Sequence, residues 1–388
     1  MKQKNNFLWL DLVRGLAALI VFTGHLRIVC FKEVSLSEIG LFAKLFYFVT
    51  GYGHQAVVIF FVLSGFFIIK SIDESARANK WNFSNYSINR LSRLWTVLIP
   101  ALLIGFVIDR FGFHFFPSTL GYTEQIKYFE GLNARESLNA SVFIGNVSFL
   151  QGILVPTLGF NTPTWTLPYE FWYYVLFPVL YFLVYPKYSL YTRMAFSLLA
   201  TGVFIIVGSE IAIYFLVWLM GGVSFIIYKK LSAGFSLASF LKYFILLAFG
   251  FILIMIRFKL SPLFFNDFTL AISFGLLIPV LCTWDIKMPV LKKLAAYLSN
   301  VSYTLYLTHL PLCMFITSWL SFQVSELNAK NIGLYTAICV VTMLYSTLFW
   351  YLFERNTDKC RRWVMSLFSK FKTSSSPLLQ LLKQGVNV

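Results

Sequence analysis

Residues 8–29 read LWLDLVRGLAALIVFTGHLRIV, an apolar run with Asp11, Arg14 and His25 set into it. About 20 mostly apolar residues cross a bilayer, so this stretch is read as a first membrane span. Lys2 and Lys4 ahead of it imitate a secretory signal. The embedded charges and the absence of a small-x-small cleavage site favour a retained span instead. Arg14 and His25 are eleven steps apart, three helical turns plus roughly 20°, so they share a face roughly 16 Å apart along the axis. Asp11 precedes Arg14 by three residues, where an ion pair forms on one stripe. Ionisable groups inside a bilayer are costly and usually functional.

The rest of the chain agrees with this beginning. Apolar residues make up 58% of the 388 and charged residues 12%, with a mean hydropathy of +0.73. Soluble domains carry roughly 45–50% apolar and about 25% charged residues, so a water-soluble enzyme and a disordered chain are both excluded. Apolar runs place ten spans at 8–29, 52–70, 94–109, 164–185, 194–208, 210–228, 240–256, 266–284, 297–319 and 332–353, with only Gly208 and Ser209 dividing the fifth from the sixth. The run 141–156 is too short to span and reads as a re-entrant or interfacial helix. The expected fold is an all-α polytopic membrane bundle of about ten transmembrane helices plus that short helix. Residues 1–356 form one integral-membrane domain, followed by a basic cytoplasmic tail, 357–388, read as a flexible arm.

On this map 22 of the 32 Lys and Arg fall on inner segments and nine on outer ones. The positive-inside rule therefore puts both termini in the cytoplasm. It also accounts for the net charge of +16 without nucleic acid. The segment 110–163 is the longest outer one and reads as a lid, while 71–93 lies at the cytoplasmic interface. Cys30, Cys282, Cys313, Cys339 and Cys360 form no C-x-x-C pair. With four histidines in all, neither a disulfide framework nor a metal site is expected.

Four groups of residues carry chemistry. His25, with an ordinary pKa of about 6.5, offers a neutral imidazole as general base near neutral pH. No G-x-S-x-G nucleophile motif occurs, so direct attack by an acceptor hydroxyl is simpler than a covalent enzyme intermediate. Arg90 and Arg93, three apart before the third span, are either snorkelling positive-inside flanks or two guanidinium forks offered to a phosphate. Glu170 stands alone in the aromatic run around Trp165 and Trp172. It needs an inward partner, with pairing to Arg14, orientation of His25 and binding of a sugar hydroxyl all open. Ser302, Tyr306 and His309 share one face of the ninth span. His54 and His114 read as structural.

Taken together, these stretches resemble the acyltransferase-3 family of integral-membrane O-acyltransferases, which includes glycan O-acetylases. Leu10-Asp11-Leu12-Val13-Arg14 with Gly24-His25 is similar to its opening motif, and Phe60 to Phe66 around Ser64-Gly65 to its second-span signature. Arg90-Leu91-Ser92-Arg93 resembles its R-x-x-R, Trp165-Thr166-Leu167 with Glu170 its W-S-L-x-x-E block, and Ser302 to His309 its S-Y-x-L-Y-L-x-H block. Thr166 stands where relatives have Ser, Pro168-Tyr169 where many have Ser-Val, and Pro100 comes later than usual.

The resemblance implies a catalytic set of His25, Arg14 and Glu170. It implies a donor and substrate path along Asp11, Ser64, Arg90, Arg93, Trp165, Tyr306 and His309. The donor would be a cytoplasmic acyl-CoA, most often acetyl-CoA, with no permanently bound cofactor. The acceptor would be a hydroxyl of a cell-surface or lipid-linked glycan, and the location a bacterial cytoplasmic (inner) membrane. Membrane lipid is the other expected partner, and the oligomeric state is open. A glycan transporter or flippase is the main alternative, but no inverted repeat or paired interrupted helices are seen. A glycan polymerase is another, and it would alter chain length rather than acylation.

Overall fold

The computed structural model describes residues 7–34, 40–184, 189–258 and 263–374. Among them no β-strand occurs beyond isolated bridges. In lipid every backbone polar group must be satisfied within the segment, so long apolar runs become helices.

In chain order the helices are α1 (Leu8–Cys30), α2 (Leu41–Val49), α3 (Gly53–Arg77), α4 (Phe83–Phe115), α5 (Ala134–Ser137), α6 (Ala140–Val147), α7 (Leu167–Val184), α8 (Leu190–Ser232), α9 (Ser239–Arg257), α10 (Leu263–Leu281), α11 (Pro289–Trp319), α12 (Ala329–Leu352) and α13 (Thr357–Ser374). Each apolar segment expected as a span falls on one of these helices. Among the described residues six helical stretches are long and apolar enough to cross a membrane, and a further apolar helix, Asn266–Leu281, is shorter. The division expected at Gly208–Ser209 falls on Gly208, whose φ of 77° interrupts α8. Glycine takes that left-handed backbone without steric cost.

α1 runs between α3 and α11, so the helix carrying Arg14 and His25 lies inside the bundle. α8 packs on α3, α7 and α10, while α12 covers α11. Gly65 of α3 abuts the Trp218 carbonyl of α8, and Gly221 of α8 abuts the backbone of Val62 and Phe66. The missing side chains let these two backbones approach closely, as small residues do in membrane bundles. α9 lies at the periphery and exposes Phe240, Phe244, Leu247 and Phe251, a face suited to lipid.

Three expectations change. The tail is not a loose arm from residue 357, because α13 is helical and packs against α4. Asp358 in its first turn complements the helix dipole, and Trp363, Val364 and Leu367 form an apolar stripe. The stretch 141–156 is helical only to Val147; turns follow, with Phe149 and Gly152 at positive φ. α2, whose Leu41, Phe42, Leu45 and Val49 are exposed, was not anticipated, since nine residues are too few to span. Residues 375–388 of the tail, with Lys2, Lys4, Lys187 and Lys259 of the topology count, lie outside the described residues.

Candidate active site

Two cavities lie along α1. The first, of about 120 Å³, is lined by Arg14, Arg90, Arg93, Ser64, Glu170 and Glu354, among others. The second, of about 290 Å³, is lined by His25, Arg27, His54, Tyr128 and Trp165, among others. Val57 and Tyr306 line both. Tyr306 is held there by a 3.1 Å hydrogen bond between its hydroxyl and that of Thr166. Arg14 and His25 therefore open into different chambers, although they share α1.

The first cavity is ringed by charge. Arg14 Nη1 lies 3.8 Å from Asp11 Oδ1, the ion pair expected from their spacing, and donates to Ser299 Oγ at 3.4 Å. Ser299 in turn donates to Asp11 at 2.9 Å, so Asp11 anchors Arg14 from behind rather than lining the cavity. Arg90 Nη2 donates to Ser71 Oγ at 3.2 Å, and its guanidinium lies 5.4 Å from the Tyr86 ring centre. Its Nε is buried with no partner. Arg93, one turn on, is exposed because it faces the cavity.

Glu170 accepts a hydrogen bond from Tyr174 one turn along α7 and feels the charges of Arg14 and Arg93. Ser64 accepts from Trp218 Nε1 at 3.2 Å. A fifth charged position, Glu354, accepts from Thr304 Oγ1 at 2.5 Å. It follows the last span directly, and its acidic side chain beside an apolar run was the available signal. Several guanidinium groups interleaved with carboxylates and hydroxyls can bind a phosphorylated, amide-bearing chain.

The second cavity is built around His25. The carbonyl of Leu305 can only accept, so His309 Nδ1, 2.8 Å away, carries the hydrogen. Neutral His309 then has its lone pair on Nε2, which lies 2.9 Å from His25 Nδ1. His25 must donate from Nδ1, leaving the lone pair of neutral His25 on Nε2. That nitrogen faces the hydroxyl of Tyr128 at 3.2 Å. The two imidazoles are nearly parallel, 10° apart, and His309 is fully buried. Burial pushes the Tyr128 phenol above its ordinary value, so it is a neutral partner. The result is a base with a defined tautomer, aimed into a chamber beneath the segment that follows α4.

Of the residues singled out in the sequence, Arg14, Ser64, Arg90, Arg93, Glu170 and Tyr306 meet at the first cavity. His25, Trp165 and Tyr306 meet at the second, with His309 behind His25. Glu170 does not orient His25; His309 holds that place. His54 is more than structural filler. It lines the second cavity, and its Nε2 reaches both oxygens of Asp267 at 2.9 and 2.8 Å. Tyr214 donates to the same carboxylate at 2.6 Å. Asp267 was legible as the lone acid within the apolar run 266–284. Tyr128 carried no signal, because its segment shows no periodicity. Among the described residues no cluster of His, Cys, Asp and Glu could hold a metal ion.

A family model described as an acyltransferase domain, of the acyltransferase-3 type, matches residues 7–351. No curated protein and no solved structure matches the chain.

Proposed function

The chain belongs to the acyltransferase-3 family and is a membrane acyltransferase; from that premise we propose that it moves an acyl group, most simply acetyl, from cytoplasmic acyl-CoA to a glycan hydroxyl on the opposite side. The observation that carries this reading is the second cavity's His25, whose Nε2 lone pair points at a hydroxyl while His309 holds Nδ1. The acceptor is a cell-surface or lipid-linked oligosaccharide in a bacterial cytoplasmic membrane, with both termini of the enzyme inside.

The donor's phosphates lie against Arg90 and Arg93 near the cytoplasmic end of α4. Its pantetheine arm passes Arg14 and Ser64, and its thioester passes between Tyr306 and Val57, which line both cavities, to meet the acceptor in the second. The acceptor hydroxyl enters the second cavity in the place that the Tyr128 hydroxyl now fills. His25 Nε2 takes the hydroxyl proton as the acceptor oxygen attacks the thioester carbonyl. The tetrahedral intermediate collapses, its carbon–sulfur bond breaks, and the CoA thiolate takes the proton from Nε2. His309 accepts from Nδ1 throughout, so the proton is held at the productive nitrogen. Positioned general bases contribute about 10² to 10⁴ in rate.

Arg14 has a narrower role than its family motif suggests. It is roughly three helical turns from His25 and opens into the other chamber. Its charge steadies the donor rather than an oxyanion beside His25. Glu170, between Arg14 and Arg93, keeps those cations apart and accepts hydrogen bonds from donor amides.

The test is radiolabelled acetyl-CoA supplied to sealed membranes, with mass spectrometry of the cell-surface glycan. Acetyl label in glycan that disappears with His25→Ala supports the reading. Full incorporation by a correctly inserted His25→Ala protein overturns it.

A further inference from the structure

The second cavity is lined by Arg27, His25 and His54, and no acidic side chain among the described residues lines it. Arg27 follows His25 by two residues on α1. Its guanidinium lies 5.2 Å from the Tyr47 ring centre, its Nε is buried without a partner, and no carboxylate among the described residues pairs with it. A second cation stands behind it. Arg257, at the end of α9, donates from Nη2 to the Tyr47 carbonyl at 3.2 Å, and its Nε is also buried and unpartnered.

The acids nearby are already engaged. Glu33 pairs with Lys127 at 3.1 Å, Glu326 with Lys32 at 2.6 Å, and Asp267 with His54. Two guanidinium groups sharing one tyrosine repel each other, and partly buried cations without a counter-charge are costly. Both also sit on the side of the map where the positive-inside rule disfavours arginine. An anion in the cavity offsets the repulsion and supplies the missing counter-charge.

We propose that this cavity binds its acceptor through an anionic group, a carboxylate or a phosphate, received by Arg27 with Arg257 behind it. The acceptor is then an acidic glycan or a glycan phosphate rather than a neutral sugar. This rests on reading the His25 cavity as the acceptor site. The guanidinium fork takes two oxygens of the anion, and the hydroxyl to be acylated points along α1 toward His25.

The full-length protein in phosphatidylcholine nanodiscs tests it by equilibrium binding of methyl glucuronide and methyl glucoside, which differ at C6, and of inorganic phosphate. The expected result is that the glucuronide binds about tenfold tighter or more, the gain of a charge-assisted hydrogen bond, and that phosphate competes with it. Arg27→Gln and Arg257→Gln lose the preference, Arg27→Lys keeps part of it, and Lys330→Gln, an exposed lysine elsewhere, keeps it all.

Equal binding of the two sugars by the parent overturns the proposal, as does an undiminished preference in both glutamine variants. Should Arg27→Gln fail to fold, Arg257→Gln and Arg27→Lys still decide. Repeating the binding in phosphatidylglycerol discs separates the sources: loss of soluble-anion binding assigns the anion to a lipid headgroup, retention to the glycan. Acetyl-CoA binding in the same discs is read separately. Its absence would remove the acyl-transfer reading while the sugar comparison still judges the anion site.

Discussion

His309 Nε2 lies 2.9 Å from His25 Nδ1, and the remaining nitrogen of each ring is committed in turn, to the Leu305 carbonyl and toward Tyr128. A chain of fixed hydrogen bonds thus settles the tautomer of a base from residues 284 positions apart in sequence. On the proposed mechanism, preorganisation of this kind would make His25 ready before either substrate arrives.

His25→Ala removes the proton acceptor. Acetyl transfer falls by about 10² to 10⁴, while binding of acetyl-CoA at the first cavity is unchanged. Steady-state transfer and donor binding, measured on the same membranes, check both halves.

On the proposed mechanism His309 is a positioning residue. His309→Ala frees the His25 ring to take the other tautomer, so kcat falls by up to about 10⁴ with both KM values little changed. His309→Gln offers an amide oxygen to Nδ1–H and restores part of the rate. A drop in protein level alone, with kcat per molecule intact, would point to packing instead.

Arg93→Gln and Arg90→Gln each remove a charge from the donor cavity. The donor KM rises by about tenfold per lost charge-assisted bond, and the acceptor KM stays as it was. Inhibition by free CoA weakens in parallel, which separates a phosphate site from a general loss of fold.

Tyr128→Phe removes the hydroxyl that rests on Nε2. Because the acceptor hydroxyl takes that place, kcat is retained and the acceptor KM does not rise. A fall in kcat comparable to that of His25→Ala would instead make the phenol part of the proton transfer.

Gly221→Ala sets a methyl group against the backbone of Val62 and Phe66. Overpacking of this type costs about 1–3 kcal/mol. Thermal unfolding in detergent should show the loss, with Gly202→Ala, which meets open space, as the control.

Much of the architecture could be read from the chain because lipid makes apolar length and helix nearly synonymous. The division at Gly208 was visible for the same reason, as two apolar runs met at the residue most tolerant of a break. What stayed hidden depends on pairing between distant helices. Helical spacing put Arg14 with His25, and Asp11 with Arg14, but only the second pair meets. The first shares a stripe, and Tyr306, arriving on α11, divides the space between them. Glu170 was a reasonable partner for His25 by charge, yet α7 enters on the other side of that divide. His54 and Asp267 lie 213 positions apart, so no local pattern joins them. The tail was misread because a basic, serine-containing stretch masks the apolar stripe of Trp363, Val364 and Leu367.

The hydroxyl pair of Thr166 and Tyr306 has a consequence for economy as well as for shape. A thioester is an energy-rich bond, and water is always the most abundant alternative acceptor. Tyr306 stands between the Arg14 cavity and the His25 cavity, so a thioester held in the first, as proposed, would be apart from the imidazole in the second. On the proposed mechanism this partition would keep the thioester from water activated by His25 in the absence of an acceptor.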